Sequence, residues 1–275
     1  MSLKFWGFYR MDTENHRQLL KGKVAIVTGV SRENGIGTSI CYKLAEAGAD
    51  IFFTHYRVYD ETDGEGVENH WPDTLAGQLE ERGVRVAHME ADLREEDLPG
   101  KLLESVVKEI GVPSILVHNA TFSVGSNYKD LTPELLDMHY STNNKGPIML
   151  TQAFAKLFEK TFRPQEEGSI VFLVSGGPDP NNLAYIATKG ALKAITPPLA
   201  TGLAPIGINV NAVDPGPTDT GWMDTETKES LLPLFPKGRL GKAEDAAKLI
   251  RFLVSPDASW VTGQVIHSDG GFLGR

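Results

Sequence analysis

The sequence predicts a doubly wound α/β domain, a single parallel sheet of about seven strands with helices on both faces. Three observations predict it. Short apolar, β-branched runs alternate strictly with stretches of helical spacing along nearly the whole chain. The runs are apolar almost throughout, as strands buried on both faces must be. A glycine-rich turn joins the first run directly to the first helical stretch.

In chain order the strand-length runs are 24–27, 51–54, 84–89, 115–117, 170–174, 208–213 and 265–267. Between them, residues 36–47, 74–82, 98–110, 133–162, 184–203 and 243–254 carry apolar side chains at three- and four-residue intervals, the spacing of a helix face. No Pro/Gly/Ser-rich linker interrupts the alternation, so residues 21–275 read as one domain and residues 1–20 as an N-terminal tail. Two segments break the rhythm. Residues 56–71 form an acidic surface excursion, and residues 215–242 are rich in Pro, Gly, Thr and Asp. Loops of that length inside a domain are commonly lids or binding loops.

Composition narrows the function classes. With 275 residues, 41% hydrophobic and 23% charged, the chain can bury a sizeable core and is neither disordered nor low-complexity. A net charge of −9 argues against sequence-independent nucleic-acid binding. No apolar run reaches membrane-span length and no secretory signal opens the sequence, so the expectation is a cytoplasmic protein without membrane partners. The single cysteine, Cys41, excludes an intrachain disulfide and reads as a small buried hydrophobe on the first helix. The seven histidines show no metal-binding spacing, and no metal is expected.

The turn after the first strand runs Thr28-Gly29-Val30-Ser31-Arg32-Glu33-Asn34-Gly35-Ile36-Gly37. Glycines there let the backbone approach a pyrophosphate, whose charge the following helix N-terminus holds. The second strand ends Phe53-Thr54-His55-Tyr56-Arg57 without an acidic residue. An acid at that place binds a ribose 2′-hydroxyl and a base accommodates a 2′-phosphate. Arg32 and Arg57 are available for a phosphate, or stand as solvated surface charges; the balance favours NADP(H), with NAD(H) as the alternative.

Tyr185 and Lys189 lie four residues apart on one helix face. A phenol titrates near pH 10 and needs a neighbouring cation to exchange a proton at neutral pH, which Lys189 can supply. Ser175, Asn119 and Pro215-Gly216 follow other strands and share the carboxyl edge of the sheet, where open α/β sheets bind ligands.

With these residues the sequence resembles the short-chain dehydrogenase/reductase family, over about Lys21 to the C-terminus. The family's motifs occur in order: Thr28-Gly29…Gly35-Ile36-Gly37, Asp92-Leu93, His118-Asn119-Ala120, Asn143, Ser175, Tyr185…Lys189, Asp214-Pro215-Gly216 and Asp269-Gly270-Gly271. Within the family it looks most like 3-oxoacyl-[acyl-carrier-protein] reductases. The resemblance implies a Rossmann fold and an NADP(H)-dependent oxidoreductase interconverting a ketone or 3-oxoacyl thioester with a secondary alcohol. Tyr185 is then the general acid/base, Lys189 lowers its pKa and binds the nicotinamide ribose, Ser175 holds the carbonyl, and Asn143 orders a water toward Lys189. Asp92 and Leu93 contact the adenine side, Asn119 and Ala120 line the cofactor, and Thr218 and Thr220 reach the nicotinamide amide or a phosphate. A homo-oligomer, dimer or tetramer, built on helices near 142–162 and 185–203, is also implied.

Two departures stand out. Five residues separate Gly29 from Gly35 where the family has three, and Ser175 precedes Tyr185 by ten residues where thirteen is usual. An unusual pocket wall follows, and with it a competing reading as a nucleotide-binding regulatory protein with little catalysis. His55 and His267 sit at strand ends, near cofactor or merely at the surface. Trp222 and Met223 either gate substrate or pack an ordered loop.

Overall fold

The computed structural model describes residues 18–64, 66–162 and 165–274. The seven expected strands are present: β1 (Val24–Val27), β2 (Asp50–His55), β3 (Val86–Glu90), β4 (Ile115–His118), β5 (Gly168–Leu173), β6 (Ile208–Asp214) and the last, β9 (Val265–His267). They form one all-parallel sheet in the order β3-β2-β1-β4-β5-β6-β9. The direction of winding reverses between β1 and β4, which opens a crevice beyond their carboxyl ends. The small pair β7 (Thr218–Asp219) and β8 (Gly241–Lys242) brackets the loop region after β6.

Successive residues of each strand feed opposite layers, because the side-chain period of a strand is two. Ala25, Val27, Ile51 and Phe53 pack with Ile40 and Leu44 of α1 (Ile36–Glu46), Leu75 and Leu79 of α3 (Trp71–Glu80), and Ile250 of α9 (Ala243–Leu253). Val24, Ile26, Phe52 and Phe172 pack on the other side with Leu102 and Val106 of α4 (Leu98–Glu109), Phe154 and Phe158 of α6 (Gly146–Thr161), and Leu192 of α7 (Leu183–Leu203). Two-sided burial explains why the strands read as continuous apolar runs.

The stretch of helical spacing over 133–162 is not one continuous α-helix. It consists of α5 (Pro133–Tyr140), one π-helical turn at Ser141–Lys145, and α6. Pro147 has no N–H to return to Asn143, and the side chains of Asn143 and Asn144 are drawn to groups outside the helix. Gly146 lies so near the neighbouring backbone that a Cβ there would sit 2.4 Å from the Leu93 carbonyl oxygen.

The acidic excursion also holds more order than expected: it contains a short helix, α2 (Arg57–Thr62). Leu20, assigned by sequence to the tail, is buried and donates its N–H to the Ala47 carbonyl, so chain order begins before Lys21. Residues 1–17 of that tail lie outside the described residues. The stretch 215–242 carries α8 (Thr225–Leu231).

Phe154 is fully buried and stacks on Phe158. Phe154→Ala is expected to cost about 3–5 kcal/mol of unfolding free energy. Denaturant unfolding monitored by far-UV circular dichroism checks this, and a loss under about 1 kcal/mol contradicts the packing described.

Candidate active site

One cleft of about 1300 Å³ lies along the carboxyl edge of the sheet. Strand ends supply its floor, since each parallel strand points its last residues the same way. The glycine loop enters from β1, His55 from β2, Asp92 and Leu93 from β3, Asn119 and Ala120 from β4, Ser175 from β5, and Pro215, Gly216, Thr218 and Thr220 from β6.

The glycine loop is held against the end of β4. A Cβ on Gly29, whose φ is +74°, would lie 2.4 Å from the Ala120 Cα. Asn119 Nδ2 donates to the carbonyls of Thr28 (2.9 Å) and Gly29 (2.8 Å), while Thr28 Oγ1 accepts from the N–H groups of Asn119 and Ala120. On Gly37 a Cβ would meet that Asn119 amide at 2.6 Å. Bare backbone therefore faces the cleft, with the N-terminus of α1 behind it, which fits an anionic pyrophosphate.

Tyr185 and Lys189 sit on the first turns of α7, on one face, beside the chain leaving β5. Ser175 lines the cleft beside Tyr185. Burial pushes the phenol up to about 12, against the lowering effect of the Ser175 hydroxyl and with smaller raising contributions from Asp214 and Tyr59. Lys189 is buried, donates from Nζ to the Leu173 carbonyl at 2.9 Å, and lies 5.6 Å from the centre of the Tyr185 ring. Burial pushes its ammonium down to about 8, opposed by Asp214. A protonated phenol at neutral pH is thus set next to a lysine able to change charge near neutrality.

Asn143 stands one layer behind the cleft. Its Oδ1 accepts from the Phe122 N–H (2.7 Å) and its Nδ2 donates to the Phe122 carbonyl (2.9 Å) and Thr188 Oγ1 (3.0 Å). It reaches Lys189 only through the helix that carries Thr188, so its side chain positions α7 against the β4 loop. The extra residue of the π-helical turn aims it and lets Asn144 donate to the Thr188 carbonyl at 2.9 Å.

The shortened link from Ser175 to Tyr185 is stitched to the β4 loop. Ser126 donates its N–H to Asn181 O (2.7 Å) and accepts from Leu183 N–H (2.9 Å). Ser175 thereby stays in reach of Tyr185 despite the missing residues.

Two expected cofactor contacts are corrected. Arg57 turns away from the cleft, because Glu90 on the adjacent β3 accepts from its backbone N–H and from Nε and Nη2, the last at 2.5 Å. Asn34 is exposed and outside the cleft lining, on the outer side of the lengthened loop. Ser31, Arg32, Gly35 and Ile36 remain in the lining. The weighed alternatives also resolve: Met223 is buried, whereas Trp222 lines the cleft with its Nε1 donating to the Thr218 carbonyl at 2.8 Å. His55 and His267 both line the cleft. Cys41 is buried, and burial pushes its thiol up, as suits an inert core residue.

Several residues of the cleft escaped the sequence reading. Lys193 forms a 2.7 Å ion pair with Asp214; its position four residues beyond Lys189 was the available signal. Arg94 lies against Asp92 (2.5 Å) and the Tyr56 hydroxyl (3.1 Å). Asp60 and Tyr59 come from α2, and Phe272 from the C-terminal segment, its ring tilted against that of Phe235. Nothing in the sequence marked these last three.

Comparison with known proteins agrees with this fold. A family model described as Enoyl-(Acyl carrier protein) reductase matches residues 29–273. This chain belongs to the short-chain dehydrogenase/reductase family. Within the family, it is 42% identical over 254 residues to the uncharacterized oxidoreductase YjdA of Bacillus subtilis, covering 91% of this chain and 97% of that one. The human dehydrogenase/reductase SDR family member 4 is 32% identical, with 98% and 95% covered. Among solved structures of the family, a short-chain dehydrogenase/reductase from Serratia marcescens superposes with a TM-score of 0.81 at 28% identity, covering 93% of this chain and 100% of that one. A blue fluorescent protein from a metagenomic library, solved with NADPH, gives 0.80 at 30% identity, with 93% and 99% covered.

Burial of Lys189 generates a stability prediction. Its folded pKa is depressed below the unfolded value, so the charged form burdens the folded state most at pH 7 and less as pH rises past about 8. Lys189→Met is expected to raise unfolding free energy at pH 7 by about 1–3 kcal/mol, and by less at pH 9.5. Denaturant titrations of both proteins at the two pH values check the sign; destabilisation at pH 7 contradicts it.

Proposed function

We propose that this chain is an oxidoreductase interconverting a carbonyl, either a 3-oxoacyl thioester or another ketone, and a secondary alcohol, with NADP(H) favoured over NAD(H). The observation that carries this reading is the convergence of Ser175, the Tyr185 hydroxyl and buried Lys189, one turn along the helix, on one cleft at the sheet edge. A nicotinamide dinucleotide, when bound, supplies or accepts the hydride.

The chain's own residues handle position and protons. Burial keeps the Tyr185 hydroxyl neutral at pH 7, so it gives its proton to the carbonyl oxygen as negative charge develops there. Ser175 donates a second hydrogen bond to that oxygen, an oxyanion-type contact. Lys189, which burial brings down to about 8, lies 5.6 Å from the Tyr185 ring and would replace the proton that Tyr185 gives up. Asn143 holds α7 and the Phe122 backbone in register for this set. Gly29, Gly35, Ile36 and Gly37 would hold the pyrophosphate, Asp92, Leu93, Asn119 and Ala120 the adenosine side, and Pro215, Gly216, Thr218 and Thr220 the nicotinamide side. NADP(H) preference now stands on Arg32 in the glycine loop, since Arg57 is withdrawn.

The same reading extends to a cytoplasmic homo-oligomer, dimer or tetramer, built on α6 and α7. Of the apolar surplus on α6, Leu150, Phe154 and Phe158 are buried on the sheet, and Met149 is left exposed for a partner copy.

Purified protein should consume NADPH, and more slowly NADH, with members of a panel of 3-oxoacyl thioesters and activated ketones. Tyr185→Phe should lower kcat on an accepted substrate by about 10²–10⁴-fold. Wild-type turnover in that variant refutes the proton-donor role. Tight dinucleotide binding with no turnover across the panel replaces the enzyme by a nucleotide-binding regulatory protein.

A further inference from the structure

The acidic excursion delivers a carboxylate into the part of the cleft where the sequence held none. Asp60, on α2, is buried at 6% exposure and lines the cleft. Its Oδ1 lies 3.9 Å from Arg32 Nε, and Ser31 lines the same part of the cleft. Burial raises its pKa, while Ser31 and Arg32 favour the ionised form.

The position is built. Gly64 closes the turn after α2 with its N–H on the Tyr59 carbonyl at 2.7 Å, and a Cβ there would lie 2.7 Å from the Asp60 Cα. Tyr56 N–H donates to Ser31 Oγ at 3.2 Å, and Glu68, further along the excursion, accepts from the Glu33 N–H at 2.8 Å. The lengthened glycine loop and the excursion therefore support each other, and the two meet at Asp60.

In a doubly wound sheet the space between the glycine loop and the carboxyl end of the second strand takes the adenosine ribose, where a carboxylate binds a 2′-hydroxyl and an arginine accommodates a 2′-phosphate. Here both groups face that space. Such an acid is ordinarily sought at the strand end itself, which in this chain carries His55, Tyr56 and Arg57. We infer that Asp60 is a nucleotide-specificity residue, which accepts a hydrogen bond from a ribose 2′-hydroxyl and opposes a 2′-phosphate at Arg32. The inference rests on the proposed reading of the cleft as a dinucleotide site. Two charges of one sign within a few ångströms of a shared arginine repel, whereas a hydroxyl and a carboxylate attract. Asp60 thus holds the NADP(H) preference low and leaves NAD(H) an accepted cofactor.

Calorimetric binding of adenosine 2′,5′-bisphosphate and of 5′-AMP isolates the 2′-phosphate, with NADPH and NADH measured alongside. Asp60→Asn keeps the shape and removes the charge. It should tighten the 2′-phosphorylated pair about tenfold while changing 5′-AMP and NADH less than threefold or weakening them. Asp60→Ser serves the same test if the first variant loses its wild-type circular dichroism. A ratio of the two Kd values unchanged within twofold overturns the role of Asp60 and leaves the dinucleotide site intact. Absence of binding by all four ligands to the wild-type protein overturns the dinucleotide reading and this inference with it.

Discussion

Between the ends of β1 and β4 the winding of the sheet reverses, and two backbones meet there almost without side chains between them. Gly29 has no room for a Cβ against Ala120, and Asn119 spends its amide on the Thr28 and Gly29 carbonyls. The close approach keeps the crevice open above the strand ends and points the N-terminus of α1 into it. The β4 chain continues through Phe122, whose N–H and carbonyl hold Asn143, and Asn143 in turn holds Thr188 beside Lys189.

Charge in the cleft is arranged in opposed pairs. Arg32 faces Asp60, Arg94 lies on Asp92, and Lys193 on Asp214. Arg57, just outside, is taken by Glu90. In a chain of net charge −9, an acid meets each of these bases before any ligand does. Affinity for an anionic ligand then depends on which pair yields, so specificity is a difference between competing partners rather than the presence of a base.

Tyr185 and Lys189 show the cost of burying titratable groups. A buried ammonium and a buried phenol would be replaced by apolar groups in a core chosen for stability alone. Their burial is what moves the two pKa values and keeps the Tyr185 phenol protonated at neutral pH. The surrounding layers, with Phe52, Phe154 and Phe172 fully buried, supply the stability that tolerates it.

The alternation of apolar runs with helical spacing settled the parallel sheet, because a strand buried on both faces must read as a continuous apolar run. Local chemistry was equally legible: glycines at the first turn and Tyr185 four residues before Lys189 on one helix face. What lay beyond the sequence were relations between segments distant along the chain. Arg57 looked available until β3 placed Glu90 beside it, and the acidic stretch looked like surface until α2 turned Asp60 inward. Asn143 sits on a π-helical turn that helical spacing could not reveal, since Pro147 and the pull of Phe122 and Thr188 decide it together. Periodicity and local motifs are properties of neighbouring residues, so sequence alone determined them; the pairing of charges is set by which strands and loops lie side by side, and only the tertiary structure decided that.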